Sequence, residues 1–333
     1  MVEISIIIPT YQRPDCLRRA IGSCLVQQGV GTPYEIIVVD NNPDGSAEAE
    51  VAAVAASSAV PVRYIAEPRP GISHARNTAL AAAKGRYLAF LDDDQEAEPG
   101  WLAAHLAAIR RFDADVVFGP FQPRFPVPVE RVSSLAQAKF TRDENLATGS
   151  RMPARSPILG LPGISNTMVD RERCIAGPLP FDPNFGFAGG EDTLFFRELM
   201  RRGCKMIWCN EARVSETIPA DRLAVRYLLR RCFKNGQVSA LTWGALDPPA
   251  RGMMALVMFA GMVQTMLFAV PALACRACGH PRWLSFAAQV SSGLGKVFCH
   301  PRLLLPIYRE FPPPDAESAR AEPAARPQHG VAE

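Results

Sequence analysis

The chain has 333 residues, 48% of them hydrophobic, with 36 basic and 33 acidic residues giving a net charge of +3. That apolar content supports a substantial core and excludes a disordered protein, and the length suits one large or two modest domains. So mild a charge, with no basic run interleaved with aromatics, argues against a nucleic-acid binder.

Ile4 to Pro9 is a continuous apolar run, suited to a strand buried on both faces. Leu17, Ala20, Ile21, Cys24 and Leu25 then mark one helical stripe behind Pro14 and Asp15. A strand from Tyr34 to Asp40 ends in a carboxylate, and the turn Asn41-Asn42-Pro43-Asp44-Gly45 leads to an Ala-rich helix and a strand from Val62 to Glu67. Ser73 reads as the N-cap of a helix running to Gly85, followed by a strand from Arg86 to Leu91. Another helix and a strand from Asp115 to Gly119 complete a doubly wound α/β pattern. In such sheets functional groups gather beyond the strand C-termini, so Thr10, Asp40 and Asp92 to Asp94 are expected in one crevice.

Residues 120 to 165 are irregular and Pro-rich and read as mobile loops. Asn166 to Asp170 reads as a strand, Phe181 to Gly190 as a Gly-rich loop opening a helix from Glu191 to Arg202, Lys205 to Cys209 as a strand and Ala220 to Val238 as an amphipathic basic helix. Met253 to Ala274 carries no charge and is long enough to span a bilayer. Pro271, Gln264-Thr265 and basic flanks fit a re-entrant or interfacial hairpin as well, with Trp283 to Leu305 as the second arm, and a buried helical subdomain or dimer interface is the third option. The tail from Pro312 has the composition of a disordered segment.

Two acidic elements carry chemistry. The run Phe90-Leu91-Asp92-Asp93-Asp94 ends an apolar strand in three adjacent carboxylates, which repel unless a hard divalent cation sits there with room left for phosphates; the alternative is an acidic turn or helix cap. Gly189-Gly190-Glu191-Asp192 sets two carboxylates at a helix N-terminus. Capping accounts for one, while a pocket floor with a general base accounts for both. Nine scattered cysteines read as reduced thiols, and Cys275, Cys278 and His280 lack the ligand count of a zinc site. No basic leader precedes the first strand, so the catalytic part is expected in the cytoplasm.

In this order the motifs resemble the inverting family 2 glycosyltransferases, most nearly the glucosyltransferases of succinoglycan-type exopolysaccharides. The resemblance runs over about residues 3 to 215: Ser5 to Tyr11 with Arg13-Pro14, Ile36 to Asn41, Gly71 to Asn77 with Ala83-Lys84-Gly85, Leu91 to Asp94 with Pro99 to Leu102, and Gly190-Glu191-Asp192. It implies an α/β GT-A nucleotide-diphospho-sugar transferase fold, with a mixed central sheet, helices on both faces and C-terminal hydrophobic helices. The implied organisation is a nucleotide-sugar-binding half (1–120), an acceptor-binding half with the catalytic base (121–218), a helical membrane-associated region (219–310) and a disordered tail (311–333).

The resemblance also implies roles. Thr10, Tyr11, Arg13 and Arg76 border the nucleotide, Asp40 accepts from the base, Asp92 meets the ribose and the metal, and Asp94 holds Mn²⁺ or Mg²⁺. Asp192 deprotonates the acceptor, with Glu191 as the alternative base. Asn41 and Asn42 replace the usual Asp-Gly-Ser run, and Glu216 stands where many relatives have a histidine, so Glu216 is the candidate third metal ligand. Arg226, Arg230, Arg231 and Lys234 read as an exposed basic face near anionic lipid, with Arg230 or Arg231 on the diphosphate as the sharper reading. His74 reads as a helix-surface residue, and Trp243 and the methionines from Met253 to Met266 as packing or lipid contacts. The expected function is transfer of a hexose, glucose from UDP-glucose, to a lipid-linked acceptor at the cytoplasmic face of the inner membrane. The rivals are a rhamnosyl- or mannosyltransferase and a catalytically silent glycan- or lipid-binding subunit.

Overall fold

Strands whose residues are apolar on both faces must lie inside a sheet covered on both sides, and β1 (Ile4–Thr10) and β2 (Tyr34–Asp40) are buried almost throughout. The computed structural model describes residues 2–152, 162–177, 179–186, 189–300 and 303–305. The remaining strands are β3 (Val62–Ala66), β4 (Tyr87–Phe90), β5 (Gln95–Ala97), β6 (Val116–Phe118), β7 (Phe121–Arg124), β8 (Thr167–Asp170), β9 (Met206–Trp208) and β10 (Val214–Thr217). The helices are α1 (Pro14–Leu25), α2 (Glu48–Ser57), α3 (Ile72–Ala82), α4 (Trp101–Arg111), α5 (Ser134–Phe140), α6 (Arg171–Cys174), α7 (Glu191–Arg201), α8 (Val225–Gly244), α9 (Arg251–Ala277) and α10 (Trp283–Val297).

Seven strands form one mixed sheet in the order β3-β2-β1-β4-β8-β6-β9. Its pairings are parallel except where β8 runs antiparallel between β4 and β6. Apolar clusters fill both faces, one beneath α1 and α4 and the other beneath α3 and α7. A smaller sheet, β5-β10-β7, stands beside it. In that sheet Glu216 pairs with Gln95, and the Thr217 amide donates to the Asp94 carbonyl at 2.9 Å. A strand more than 100 residues away in the chain is thereby fixed against the aspartate triplet.

Several expectations fail for identifiable reasons. Ser73 does not cap α3: its hydroxyl donates to the Asp182 carbonyl at 2.9 Å, and Gly71, at φ 118°, precedes the helix instead. The helix stops at Ala82, short of Gly85, whose Cα lies so close to β1 that a Cβ there would stand 2.6 Å from the Ile4 carbonyl carbon. Residues 121–152 are not simply loops, since they contain β7 and α5; the rest of that stretch up to 161 lies outside the described residues. The basic helix is split into a 3₁₀ turn at Ala220–Leu223 and α8, which continues to Gly244. The tail expected to be disordered also lies outside the described residues. Helices α8, α9 and α10 form a separate layer packed on α5 and α7.

Candidate active site

The main-chain path leaves the sheet at Leu91, whose amide still reaches Ile7 in β1, and turns tightly over the aspartates. The Gln95 amide donates to the Asp92 carbonyl at 3.1 Å, and the Gln95 side-chain oxygen accepts from the Asp92 amide at 3.3 Å. Asp93 points inward, accepting from Thr10 Oγ1 at 2.9 Å and from Arg13 at 3.2 Å. Asp94 accepts from Arg13 at 3.1 Å and Arg222 at 3.4 Å, and Glu216 lies 3.9 Å from Arg222. Burial and then the charge of Asp94 push both Asp93 and Glu216 up to about 7, and burial likewise raises Asp92. Carboxylates so crowded favour a cation. Yet among the described residues no three metal-ligating side chains are gathered closely enough to enclose one. Asp94 and Glu216, with Asp92 beside them, therefore fit a divalent ion only as part of a shell that a bound diphosphate completes.

Arg76 joins this cluster to the second acidic element. Buried on α3, it stands 3.8 Å from Asp92 and donates to Glu191 Oε1, with its guanidinium over the Phe181 ring. Glu191 is buried, its other oxygen has no hydrogen-bond partner among the described residues, and burial followed by the charge of Asp192 pushes it up to about 7 despite Arg76. Asp192, half-buried, accepts from the Thr193 amide at 2.6 Å through Oδ1. Arg76 thus stands between the two acidic elements, and the charges of Asp94 and Asp192 both act to raise Asp92. Gly190, at φ 112°, has a structural use: a Cβ there would lie 2.6 Å from Val238 Cγ1, so its missing side chain lets α7 close on α8.

Asp40 is placed differently from expectation. It is fully buried, and its oxygens accept from the amides of Asn42 at 3.0 Å and Ala47 at 2.7 Å, so it shapes the turn before α2. Asn41 ties the same turn to the carbonyls of Glu67 and Arg69. Tyr11 follows β1, half-buried.

Three basic residues, Arg222, Arg142 and Lys234, escaped assignment to the site from sequence, while Arg231 entered it only as the sharper reading of the basic face. Arg222 sits on Asp94. Arg142, buried and lowered to about 10 by that burial, donates to the carbonyls of Gly119, Gly163, Ser165 and Asn166 and so cinches the segment beneath Asp192. Arg231 lies over the Phe140 ring at 4.7 Å, and its charge acts on Glu216. Lys234 faces Asp192 and Glu191 and is lowered to about 8 by burial. Of the basic face predicted on α8, only Arg226 is exposed; Arg231 and Lys234 turn toward the acids. Helical spacing reveals such a stripe, but not which way the bundle turns it.

The profile described as "Glycosyl transferase family 2" matches residues 5–164. The succinoglycan biosynthesis protein ExoM of Rhizobium meliloti (strain 1021) is 28% identical over 236 residues, which is 71% of this chain and 74% of that protein. Among solved structures, residues 1–349 of S. aureus TarS in complex with UDP superpose with a TM-score of 0.52 at 16% identity, covering 89% of this chain and 90% of that one. GalNAc-T7 with UDP, GalNAc and Mn²⁺ superposes with a TM-score of 0.51 at 17% identity, covering 72% and 47%. Likeness at such identities establishes the fold. Residues 5–164, with the mixed sheet they help to build, are thus a family 2 glycosyltransferase domain of the GT-A fold, in a chain related to exopolysaccharide synthesis proteins.

Proposed function

We propose that this protein is an inverting, metal-dependent hexosyltransferase that moves glucose from UDP-glucose to a lipid-linked or growing glycan, working at the cytoplasmic face of the inner membrane in exopolysaccharide or envelope polysaccharide synthesis. The observation that carries this reading is Arg76, which binds Glu191 and stands 3.8 Å from Asp92, coupling the donor-side acids to the acceptor-side acids across one crevice. UDP in the TarS structure, Mn²⁺ in the GalNAc-T7 structure and the succinoglycan role in the name of ExoM support the donor, the cation and the pathway class.

In this reading Asp94, Asp92 and Glu216 hold the cation, which when bound neutralises charge on the departing diphosphate. Arg13 and Arg222 pass from the carboxylates to the phosphates as the donor arrives, since their guanidinium groups already lie at the acids the donor would approach. Thr10 and Asp93 support Arg13 from beneath, and Tyr11 borders the nucleoside. Asp192 takes the acceptor hydroxyl proton through the oxygen not held by Thr193. Glu191, buried and bound to Arg76, is a positioning residue rather than the base. A single base implies direct displacement with inversion.

A panel of nucleotide sugars with Mn²⁺, read by thermal stabilisation and by UDP release, tests the reading. Preferential stabilisation by UDP-glucose with release of UDP is expected. Release of pyrophosphate from a nucleoside triphosphate, or no release from any donor, overturns it.

A further inference from the structure

Helix α9 is apolar enough to cross a bilayer, yet its surroundings in the fold set a different orientation. At its first end, Val257 packs with Trp243, Leu241 and Phe185, against α8 and the loop before α7. At its far end, Arg276 lies over the Trp283 ring at 4.5 Å, and Trp283 and Leu284 pack into the cluster of Leu135, Phe140 and Leu228 on α5 and α8. Between these anchors α10 runs back antiparallel along α9, with Phe268 stacked on Phe286 and Gln264 bonded to Gln289. A helix of 27 residues extends about 40 Å. Were it to cross a membrane, residues 278–284 would lie on the opposite side from Arg251. Both ends instead touch the same catalytic body.

What α9 leaves uncovered is one continuous face. Phe259, Val263, Met266, Leu267, Val270 and Leu273 recur at helical spacing and point outward, with Met266 and Val270 67% and 71% exposed. No acidic residue occurs between Asp247 and Glu310, while Arg251, Arg276, Arg282 and Lys296 lie on or beside the hairpin. An apolar stripe in a segment whose fixed charge is all positive matches an anionic bilayer surface: the acyl boundary takes the side chains and the headgroups take the arginines.

We propose that α9 lies in the plane of an anionic membrane, inserted by its outer face without crossing, so that the hairpin and the active site stay on one side. This rests on the membrane-associated reading above and specifies its geometry. Full-length protein is added to sealed vesicles of phosphatidylcholine with or without 30% phosphatidylglycerol, and binding is read by flotation. Binding is expected to vesicles containing phosphatidylglycerol, to weaken with salt and to fall at least about tenfold in the double variant Met266→Asp, Val270→Asp. Exposed Cys278, at the turn after α9, is expected to react with a membrane-impermeant maleimide in the bound state without detergent, scored by peptide mapping against Cys16. Protection of Cys278 until detergent is added overturns the orientation. Equal binding by the double variant overturns the surface, as does failure of the wild type to float while sedimentation gives a dimer that the variant abolishes. UDP binding with Mn²⁺, measured on the same variant, is expected to be unchanged, so loss of the membrane proposal and loss of the glycosyltransferase reading give different results.

Discussion

Arg13 and Arg222 meet at the carboxylate of Asp94, and between them they hold a place that a cation and a diphosphate would share. Asp94→Asn is therefore expected to weaken Mn²⁺-dependent UDP binding by about tenfold or more in titration calorimetry, corresponding to about 1.4 kcal/mol; unchanged affinity would remove Asp94 from the ligand set. The same cluster predicts a pH dependence. Asp93 and Glu216 are pushed up to about 7, so the folded chain keeps protons that the unfolded chain has already released. Their contribution to stability is present at low pH and is lost as pH rises toward 7. The ligand-free protein should thus melt at progressively lower temperature from pH 5 to pH 7.5, while Mn²⁺–UDP binding, which needs the ionised acids, tightens over the same window. Melting temperatures that rise across that window would contradict this sign. At this scale the clustering of the acids is legible in the sequence, because three adjacent carboxylates repel unless something nearby offsets their charge. Asp40 is not: a strand-end aspartate looks the same whether it faces a ligand or, as here, two backbone amides.

The elements divide by the range of their contacts. β1, β2 and the buried stripe of α1 can be read directly, since continuous apolar runs and helical spacing are local signals. β5, β7 and β10 cannot, because each is short and exists by pairing with segments up to 121 residues away. β7 even contains Pro123, which argues against a strand until its edge position is seen. The C-terminal helical bundle depends on glycines whose need is likewise invisible locally: a Cβ on Gly295 would stand 1.9 Å from the Phe233 carbonyl oxygen of α8. Gly295→Ala is expected to cost about 1–3 kcal/mol in urea unfolding by prising α10 from α8. Gly22→Ala in α1, where a Cβ meets nothing within 4 Å, should instead gain about 0.5–1 kcal/mol. Equal effects at the two sites would mean that the close approach of α8 and α10 is not what holds the bundle.

Across the whole molecule, one charged cluster is assembled from distant parts of the chain: the aspartate turn after β4, Glu216 on β10, Arg76 on α3 and the acids opening α7. Basic residues of α8 act on its acids, and α8 also packs against the apolar hairpin, so the candidate site and the exposed face belong to one body. The order of motifs makes the GT-A sheet legible, whereas the inward turn of Lys234 and Arg231 depends on how three helices pack and has no local signature. In the proposed reaction, donor binding and proton removal are separate duties of the two acidic elements. Asp192→Asn measures it most directly: UDP with Mn²⁺ should bind within about twofold of wild type by calorimetry, while sugar transfer falls by about 10³ or more. A parallel loss of UDP affinity, or transfer that survives the substitution, would contradict it.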